Sequence, residues 1–251
     1  MKYLFAHILL IIFSLQSYTQ NNLALVDSAE TYFKNAQYLK AINAYEKIID
    51  SGEESAALFY NLGNAYYKSN NIPLAITNYE RAKRLAPNDE DIIFNLRLAK
   101  TQTIDKIGSL PEFFLTNWYN SITGIANTNT WAYLSIFTFL LSLILLLFYF
   151  FSKSVQIKKI TFLSASFLLL MSLLSMSSSY YQKKQNFDNS FAIITTPSVN
   201  IKGSPDQSST NLFILHSGTK LQILDHIQDW CKIKIENGEI GWIKIDDVER
   251  I

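Results

Sequence analysis

Three patterns of hydrophobic and polar positions follow one another along the chain. Residues 22–107 carry apolar positions at helical spacing, separated by short polar turns. Two uninterrupted apolar stretches follow, at 131–151 and 160–181. From residue 191 onward, short β-rich runs appear, and two of them alternate apolar with polar residues, which is typical of strands. We therefore predict a helical domain, two long apolar helices and a small all-β domain, in that order.

The helical region repeats one pattern at a spacing of 34 residues. Three positions of the first copy recur in the second: Tyr32, Ala41 and Tyr45 correspond to Tyr66, Ala75 and Tyr79. A 34-residue period built from two helices is the signature of the tetratricopeptide repeat. The region from 22 to 89 therefore resembles two such repeats.

The second copy is the stronger of the two. Gly63 and Ala75 are small where its helices should cross, and Pro87 is placed to end its second helix. The first copy, 22–55, has Ser51-Gly52 as its helix stop in place of a proline. A further helix carries Arg97 at the small position, which is typical of a solvated cap. We predict two repeats and a capping helix within 20–107.

This resemblance implies a surface that docks another polypeptide. Its inner face should be lined by first-helix residues, continued by the capping helix. The matching positions are Glu30, Phe33, Lys34, Tyr60, Asn64, Tyr67, Lys68, Phe94 and Leu98. We expect this face to bind a peptide segment, and the alternative is that its aromatic residues cover neighbouring helices. A carboxylate clamp needs lysine where Val26 and Tyr60 stand, so recognition of a free C-terminus is not expected.

The first 19 residues are typical of a secretory signal. Lys2 precedes an apolar run from Leu4 to Phe13, and small residues precede a possible cleavage point at Gln20. Ten helical residues span about 15 Å, half of a hydrocarbon core of roughly 30 Å. Cleavage is therefore expected, with an uncleaved signal anchor as the alternative.

The two later apolar stretches are long enough to cross a membrane. Residues 131–151 contain fourteen Leu, Ile or Phe residues and no charge, which favours insertion by about 4–8 kcal/mol. Residues 160–181 contain nine such residues, seven serines and again no charge. Aromatic residues lie at the outer ends of the stretches, as interfacial belts require: Trp131, Tyr133, Tyr180 and Tyr181. The serines should let the helices pack closely, on each other or on a partner.

The connection 152–159 sets the predicted orientation. It carries Lys153, Lys158 and Lys159 and no acid, so the positive-inside rule places it in the cytoplasm. Both flanking domains then lie on the far side of the inner membrane of a bacterium, in the periplasm. A signal sequence requires the same side for the amino-terminal domain.

Residues 108–130 are predicted to contain a helix opened by Pro111. Phe114, Trp118, Ile122 and Ile125 form one apolar stripe along it. Such a helix either lies on the membrane surface or packs on the last repeat helix, and the sequence leaves both possibilities open. Because it carries no basic residue, attraction to anionic lipid is not implied.

After a linker at 182–190, residues 191–251 should form about five short strands in a small barrel. The runs are Phe191–Ile194, Leu221–Leu224, Trp230–Ile235 and Gly241–Ile245, with Asn237-Gly238 favouring a tight hairpin. This order resembles the bacterial SH3 module: Asn200-Ile201-Lys202 is similar to its early strand, Ser217–Leu221 to its middle turn, and Trp230 and Gly241-Trp242-Ile243 to its tryptophan strands. We expect both tryptophans in the barrel core, with a ligand-binding platform as the alternative, and Cys231 as a buried thiol.

Charge and composition exclude several functions. A net charge of +1 does not favour nucleic acid. One cysteine permits neither an internal disulfide nor a cysteine metal cluster, and the histidines are isolated. We see no nucleophile–base motif or phosphate loop, so neither an enzyme, a metal site nor a cofactor is predicted. The β domain has six basic and eight acidic residues, which gives no pull towards anionic peptidoglycan.

The order of these parts resembles the BatE-type proteins of Bacteroides aerotolerance gene clusters. That resemblance implies a membrane-associated helper in an envelope complex, with von Willebrand A domain proteins and a MoxR-type ATPase as neighbours. We therefore predict a periplasmic protein-binding scaffold anchored in the inner membrane. The alternative is a wall-binding or wall-sensing protein that reads peptidoglycan through its SH3-like domain.

Overall fold

The computed structural model describes residues 24–108, 114–186 and 190–251. The predicted signal, 1–19, lies outside the described residues, as does Pro111. The chain forms two compact units. One contains the helical region together with the β domain, and the other contains the apolar helices. Two segments that are far apart in the sequence therefore share one unit.

Within residues 24–108, five helices form the amino-terminal part of the first unit. They are α1 (24–34), α2 (Tyr38–Asp50), α3 (Ala56–Lys68), α4 (Ile72–Leu85) and α5 (Glu90–Thr101). The side chain of Ser55 caps α3 by accepting from the Leu58 N–H at 3.1 Å. Asp89 caps α5 in the same way. The predicted stop after α2 is confirmed, because Ser51 is its C-cap and Gly52 follows in the left-handed region.

The close crossing of α3 and α4 depends on a glycine at position 63. A Cβ atom on Gly63 would lie 2.7 Å from the ring of Tyr79, which is almost fully buried. Ala75 is also fully buried at this crossing. The predicted roles of these positions are confirmed, since the tyrosine ring fills the space that the missing side chain leaves.

Seven antiparallel strands form the β domain. They are β1 (Phe191–Ile194), β2 (Ser198–Lys202), β3 (Asn211–His216), β4 (Lys220–Ile227), β5 (Trp230–Ile235), β6 (Ile240–Lys244) and β7 (Val248–Arg250). Their order in the sheet is β3-β2-β6-β5-β4-β1-β7. The core consists of residues that point to one face, among them Ile201, Leu221, Ile233 and Ile243.

Two strands were not predicted from the sequence. Strand β3 exposes Leu212 and Ile214 and buries Leu215, so its apolar residues do not alternate with polar ones. Strand β7 has only three residues and pairs with β1. Neither carries the period-2 pattern on which the strand prediction rested.

The expectation that both tryptophans lie in the barrel core is wrong. Cys231, Ile233 and Ile243 are fully buried, whereas Trp230 and Trp242 are half-buried. Successive residues of a strand point to opposite faces, so an inward Cys231 turns Trp230 outward. The buried thiol is confirmed, and burial raises its pKa.

In the second unit, the described residues 114–186 form three helices, α6 (Phe114–Thr123), α7 (Thr128–Phe151) and α8 (Val155–Asn186). Helices α7 and α8 are long and apolar enough to cross a membrane. Many of their large apolar side chains are exposed, as at Phe137 and Leu163, unlike those of a core helix in a soluble domain. Helix α8 extends beyond the apolar stretch at both ends, so the turn is 152–154.

Serines join the two long helices along their contact. Ser135 donates to the Ser172 carbonyl at 3.0 Å, and Ser172 donates to the Ser135 carbonyl at 3.0 Å. Two turns further on, Ser142 donates to the Ala165 carbonyl at 2.9 Å. All three serines are buried. The hairpin therefore packs on itself through small polar residues, one of the two arrangements expected.

Candidate interaction surfaces

The inner side of the helical array holds a groove of about 260 Å³. Its lining comes from α1, α2 and α3: Glu30, Phe33, Lys34, Tyr45, Asn61 and Asn64. Four of these are positions that the repeat pattern predicted. Lys34 and Glu30 form an exposed ion pair at 3.3 Å on its rim, which contributes little stability and leaves both charges open to a partner.

Asn64 is held by a hydrogen-bond network at the junction of α3, α4 and α5. Its Oδ1 accepts from the Tyr79 hydroxyl at 2.7 Å and from Asn95 Nδ2 at 3.1 Å. Asn95 also donates to the Tyr60 hydroxyl at 2.8 Å. Burial raises the pKa of Tyr79, so its hydroxyl stays protonated and can donate. Tyr60 and Asn64 therefore contribute to the structure of the array as well as to its surface.

The six predicted surface residues on α3 and α5 fall into two groups. Tyr60, Asn64 and Tyr67 hydrogen-bond to neighbouring helices, and Tyr67 accepts from Gln102 at 2.5 Å. Lys68, Phe94 and Leu98 are exposed, and the last two lie one turn apart on α5. This second group can be altered without breaking a contact inside the array.

The outer face of β5 and β6 gathers tryptophan and lysine. Lys232 lies opposite Trp242, and Trp230 lies opposite Lys244. The Lys244 ammonium is 6.0 Å from the Trp230 ring, at the limit of a cation–π contact. The local charge of this face is positive, although the β domain as a whole is slightly acidic.

Helix α4 joins the helical array to the barrel. Its six consecutive residues from Ala75 to Glu80 are all buried. An amphipathic helix of a repeat normally leaves one face in water, so burial on every side requires a second layer. That layer is the pair β1 and β7. We call the contact of α4 and residues 103–107 with the barrel the seam.

Apolar residues from both domains share the seam. Ile193 of β1 is fully buried within the core of the helical array, and Ile107 packs against the barrel core. Full burial of one such side chain contributes about 1.5–3 kcal/mol. Gly218 allows the close approach, because a Cβ there would lie 2.6 Å from Thr103 Cγ2.

Glu80 is the central charge of the seam. Its carboxylate accepts from Lys100 Nζ at 2.7 Å and from Lys220 Nζ at 2.8 Å. Burial alone would raise the pKa of Glu80, but the charges and hydrogen bonds of Lys220 and Lys100 lower it to about 2. A lysine of the barrel therefore neutralises a carboxylate buried in the array.

Further polar contacts fix the orientation of the seam. Arg81 donates to Glu249 at 2.7 Å and to the Arg250 carbonyl at 2.5 Å. Asp105 accepts from the main-chain N–H of His216 and from the Thr219 hydroxyl, both at 2.7 Å. Burial would raise the pKa of Asp105, but these hydrogen bonds and His216 lower it.

The residues of the seam could not be identified from the sequence. Glu80, Arg81 and Asp105 occupy positions that resemble solvated charges, and their partners in the barrel lie 140, 168 and 111 residues away. A charged residue on a helix gives no local signal that a distant strand will cover it. Of the described residues, none form a cluster of three or more His, Cys, Asp or Glu that could hold a metal.

Replacing Glu80 by glutamine should loosen the seam. The change leaves Lys100 and Lys220 without their buried partner, so we expect α4 and β1 to lose about 2–4 kcal/mol of local stability at pH 7. The pKa of Glu80 is lowered from 4.5 to about 2, so its stabilisation is present above pH 4.5 and is lost as the pH falls towards 2. The difference in local stability between the unaltered protein and the Glu80→Gln variant should therefore shrink as the pH falls from 4.5 towards 2. Hydrogen exchange of the α4 and β1 amides measures it.

Glu54→Gln serves as the matched control. Glu54 is exposed, so its replacement should change stability by less than about 0.5 kcal/mol. The stability difference between this variant and the unaltered protein should not depend on pH in the same way. Equal effects of the two substitutions at pH 7 would show that the carboxylate does not hold the seam.

Comparison with family models supports both domains. Residues 56–89 match the tetratricopeptide repeat, and residues 197–249 match the bacterial SH3 domain. No curated protein matches the sequence significantly. Both families are interaction modules that are typically non-catalytic. The chain therefore combines a tetratricopeptide repeat, two apolar helices and a bacterial SH3 domain in one polypeptide.

Proposed function

We propose that the protein is a membrane-anchored scaffold whose repeat array and SH3 barrel bind envelope proteins as one body. The observation that carries this proposal is the seam, which joins two interaction modules through a buried helix and a buried carboxylate. Because the two binding surfaces are held at a fixed distance and orientation, engaging both of them costs little conformational entropy. Weak contacts at each surface then suffice for a stable assembly.

We further propose that both modules lie in the periplasm, anchored by α7 and α8 in the inner membrane. The two modules flank the helical hairpin and belong to one compact unit, so an even number of crossings is needed between them. Two spans meet this condition. The lysines of 152–159 favour a cytoplasmic turn, and the predicted signal at 1–19 favours export of the repeats. In this proposal the repeat domain comprises residues 20–107 and the SH3-like domain comprises residues 191–251.

The order of the parts also suggests an envelope complex of the aerotolerance type. In that proposal the partners are von Willebrand A domain proteins of the same membrane, and a MoxR-type ATPase acts with the complex. The support is the resemblance in domain order, together with the two family matches. The protein itself contributes contacts and no catalytic step.

Replacing Phe94 and Leu98 by alanine should reduce partner capture by at least about tenfold, the effect of losing roughly 1.4 kcal/mol of binding. Both side chains are exposed on α5, so the fold should lose less than about 0.5 kcal/mol. Crosslinking in native membranes, followed by mass spectrometry, measures the captured proteins.

Leu39→Ala is the control, because Leu39 is also exposed but lies on α2, the second helix of the first repeat. Unchanged capture by the double variant would contradict binding at the inner surface. Recovery of von Willebrand A proteins would support an envelope complex of the aerotolerance type, whereas recovery of wall enzymes alone would favour wall binding.

The proposed orientation is tested with single cysteines and a membrane-impermeant maleimide. Leu39→Cys should react in cells whose outer membrane has been permeabilised, and Ser154→Cys should react only after the inner membrane is opened. Cys231 is fully buried, so the unaltered chain provides the background. The reverse order of labelling would place both modules in the cytoplasm and exclude a periplasmic scaffold.

Wall binding is the second candidate, and the outer face of β5 and β6 favours it. Aromatic rings beside lysines suit a sugar polymer that carries carboxylates. This function predicts that the full chain in detergent is retained on purified sacculi. Lys232→Glu with Lys244→Glu should abolish retention, and Lys47→Glu, on α2, should not. The scaffold proposal predicts no retention of the unaltered chain.

A further inference from the structure

Helix α6 is tied to the ends of α7 and α8 that lie opposite their short turn. Trp131 Nε1 donates to the Thr123 carbonyl at 2.8 Å, and Tyr181 donates to Asn120 Oδ1 at 3.1 Å. Gln182 Nε2 donates to the Ala126 carbonyl at 2.9 Å and also to the Thr123 carbonyl. These contacts fix α6 to the hairpin through main-chain carbonyls and one amide.

The rings of Tyr119 and Tyr181 add an edge-on contact, with centroids 4.8 Å apart. Tyr119, Asn120 and Thr123 therefore form the side of α6 that meets the hairpin. This side is the more polar one. An ordinary amphipathic helix would bury its apolar stripe against its neighbour, and α6 does the opposite.

The apolar side of α6 points away from the hairpin. Leu115 is 51% exposed, Trp118 63% and Ile125 77%. Phe114 also lies on this side and is 68% exposed. At 100° per residue Phe114, Leu115 and Trp118 cover about one third of the helix circumference. Ile125 continues the stripe from the turn that follows α6. A contiguous stripe of large apolar side chains at this exposure calls for a non-aqueous environment.

We propose that this stripe is inserted into the interfacial layer of the bilayer, with α6 lying along the membrane surface. The occupant is lipid because α6 is fixed beside Trp131 and Tyr181, aromatic residues at the ends of the two membrane-crossing stretches. The stripe then continues the lipid-facing surface of α7 and α8, which exposes residues such as Phe137 and Leu163. The proposal rests on the membrane insertion proposed above for these two helices.

The chemistry of α6 selects the kind of lipid contact. The helix carries no charged residue, so insertion depends on apolar area and on tryptophan, not on attraction to anionic headgroups. Helix α6 would also hold the hairpin at one depth in the bilayer, because the carbonyl of Thr123 accepts hydrogen bonds from Trp131 and Gln182.

Fluorescence quenching in vesicles tests this inference on the full chain. Leu115→Cys and Ile125→Cys place an environment-sensitive label on the stripe and retain Trp118. Leu39→Cys on α2 is the water control, and Phe137→Cys on α7 is the lipid control. Cys231 is fully buried and stays unlabelled in the folded protein. The quenchers are iodide in water and phospholipids that carry a nitroxide near the headgroup.

Labels at 115 and 125 should lose most of their fluorescence to the shallow lipid nitroxide and little to iodide. The loss should be equal in zwitterionic vesicles and in vesicles with anionic lipid. Iodide quenching as strong as at position 39 would place the stripe in water and overturn the inference. Shielding from both quenchers would mean that protein covers it, either the repeat and barrel unit or a second copy, and would overturn it as well.

Failure of this inference can be told apart from failure of the proposed anchor. If the label at 137 is also quenched by iodide and not by lipid, α7 does not cross the membrane, and both proposals fail. If the label at 137 is in lipid while those at 115 and 125 are not, only the placement of α6 is wrong.

Discussion

The structure of the unit that contains the repeat helices and the barrel depends on the burial of α4 from two sides. Six consecutive residues of this helix are buried, with repeat helices on one side and β1 and β7 on the other. Burying Glu80 is costly unless its charge is paired. The two partners come from different domains, Lys100 from the array and Lys220 from the barrel. Correct docking is therefore the condition under which this carboxylate is tolerated.

Docking of the barrel constrains the path of the two apolar helices. The two apolar helices are inserted between segments that pack on each other, so the chain must leave the unit and return to it. An antiparallel pair with a turn of three residues, 152–154, accomplishes this. Serine contacts between the helices bring them close together, which is the packing expected of helices that associate in lipid. In the proposed function, the same insertion brings two binding surfaces to one place at the membrane.

The repeat pattern predicted the array in detail because its determinants are local. Small residues at a crossing, a tyrosine that fills the gap and a helix stop all lie within one 34-residue period. The pattern was less informative about the candidate surface. Tyr60 and Asn64 match surface positions, yet both are hydrogen-bonded to Asn95 on α5. Which polar groups remain open to a partner depends on helix packing, which the repeat pattern does not specify.

Sequence alone determined the order of the parts, the two apolar spans and the class of each domain, because helical period, strand alternation and apolar length are short-range properties. It placed Trp230 and Trp242 in the wrong layer, since strand residues alternate faces and the choice of the inner face belongs to the whole sheet. Only the tertiary structure decided that the barrel completes the array. That contact joins Glu80 to Lys220 and Arg81 to Glu249 across more than a hundred residues, and no local pattern specifies which distant surface will exclude water from a helix.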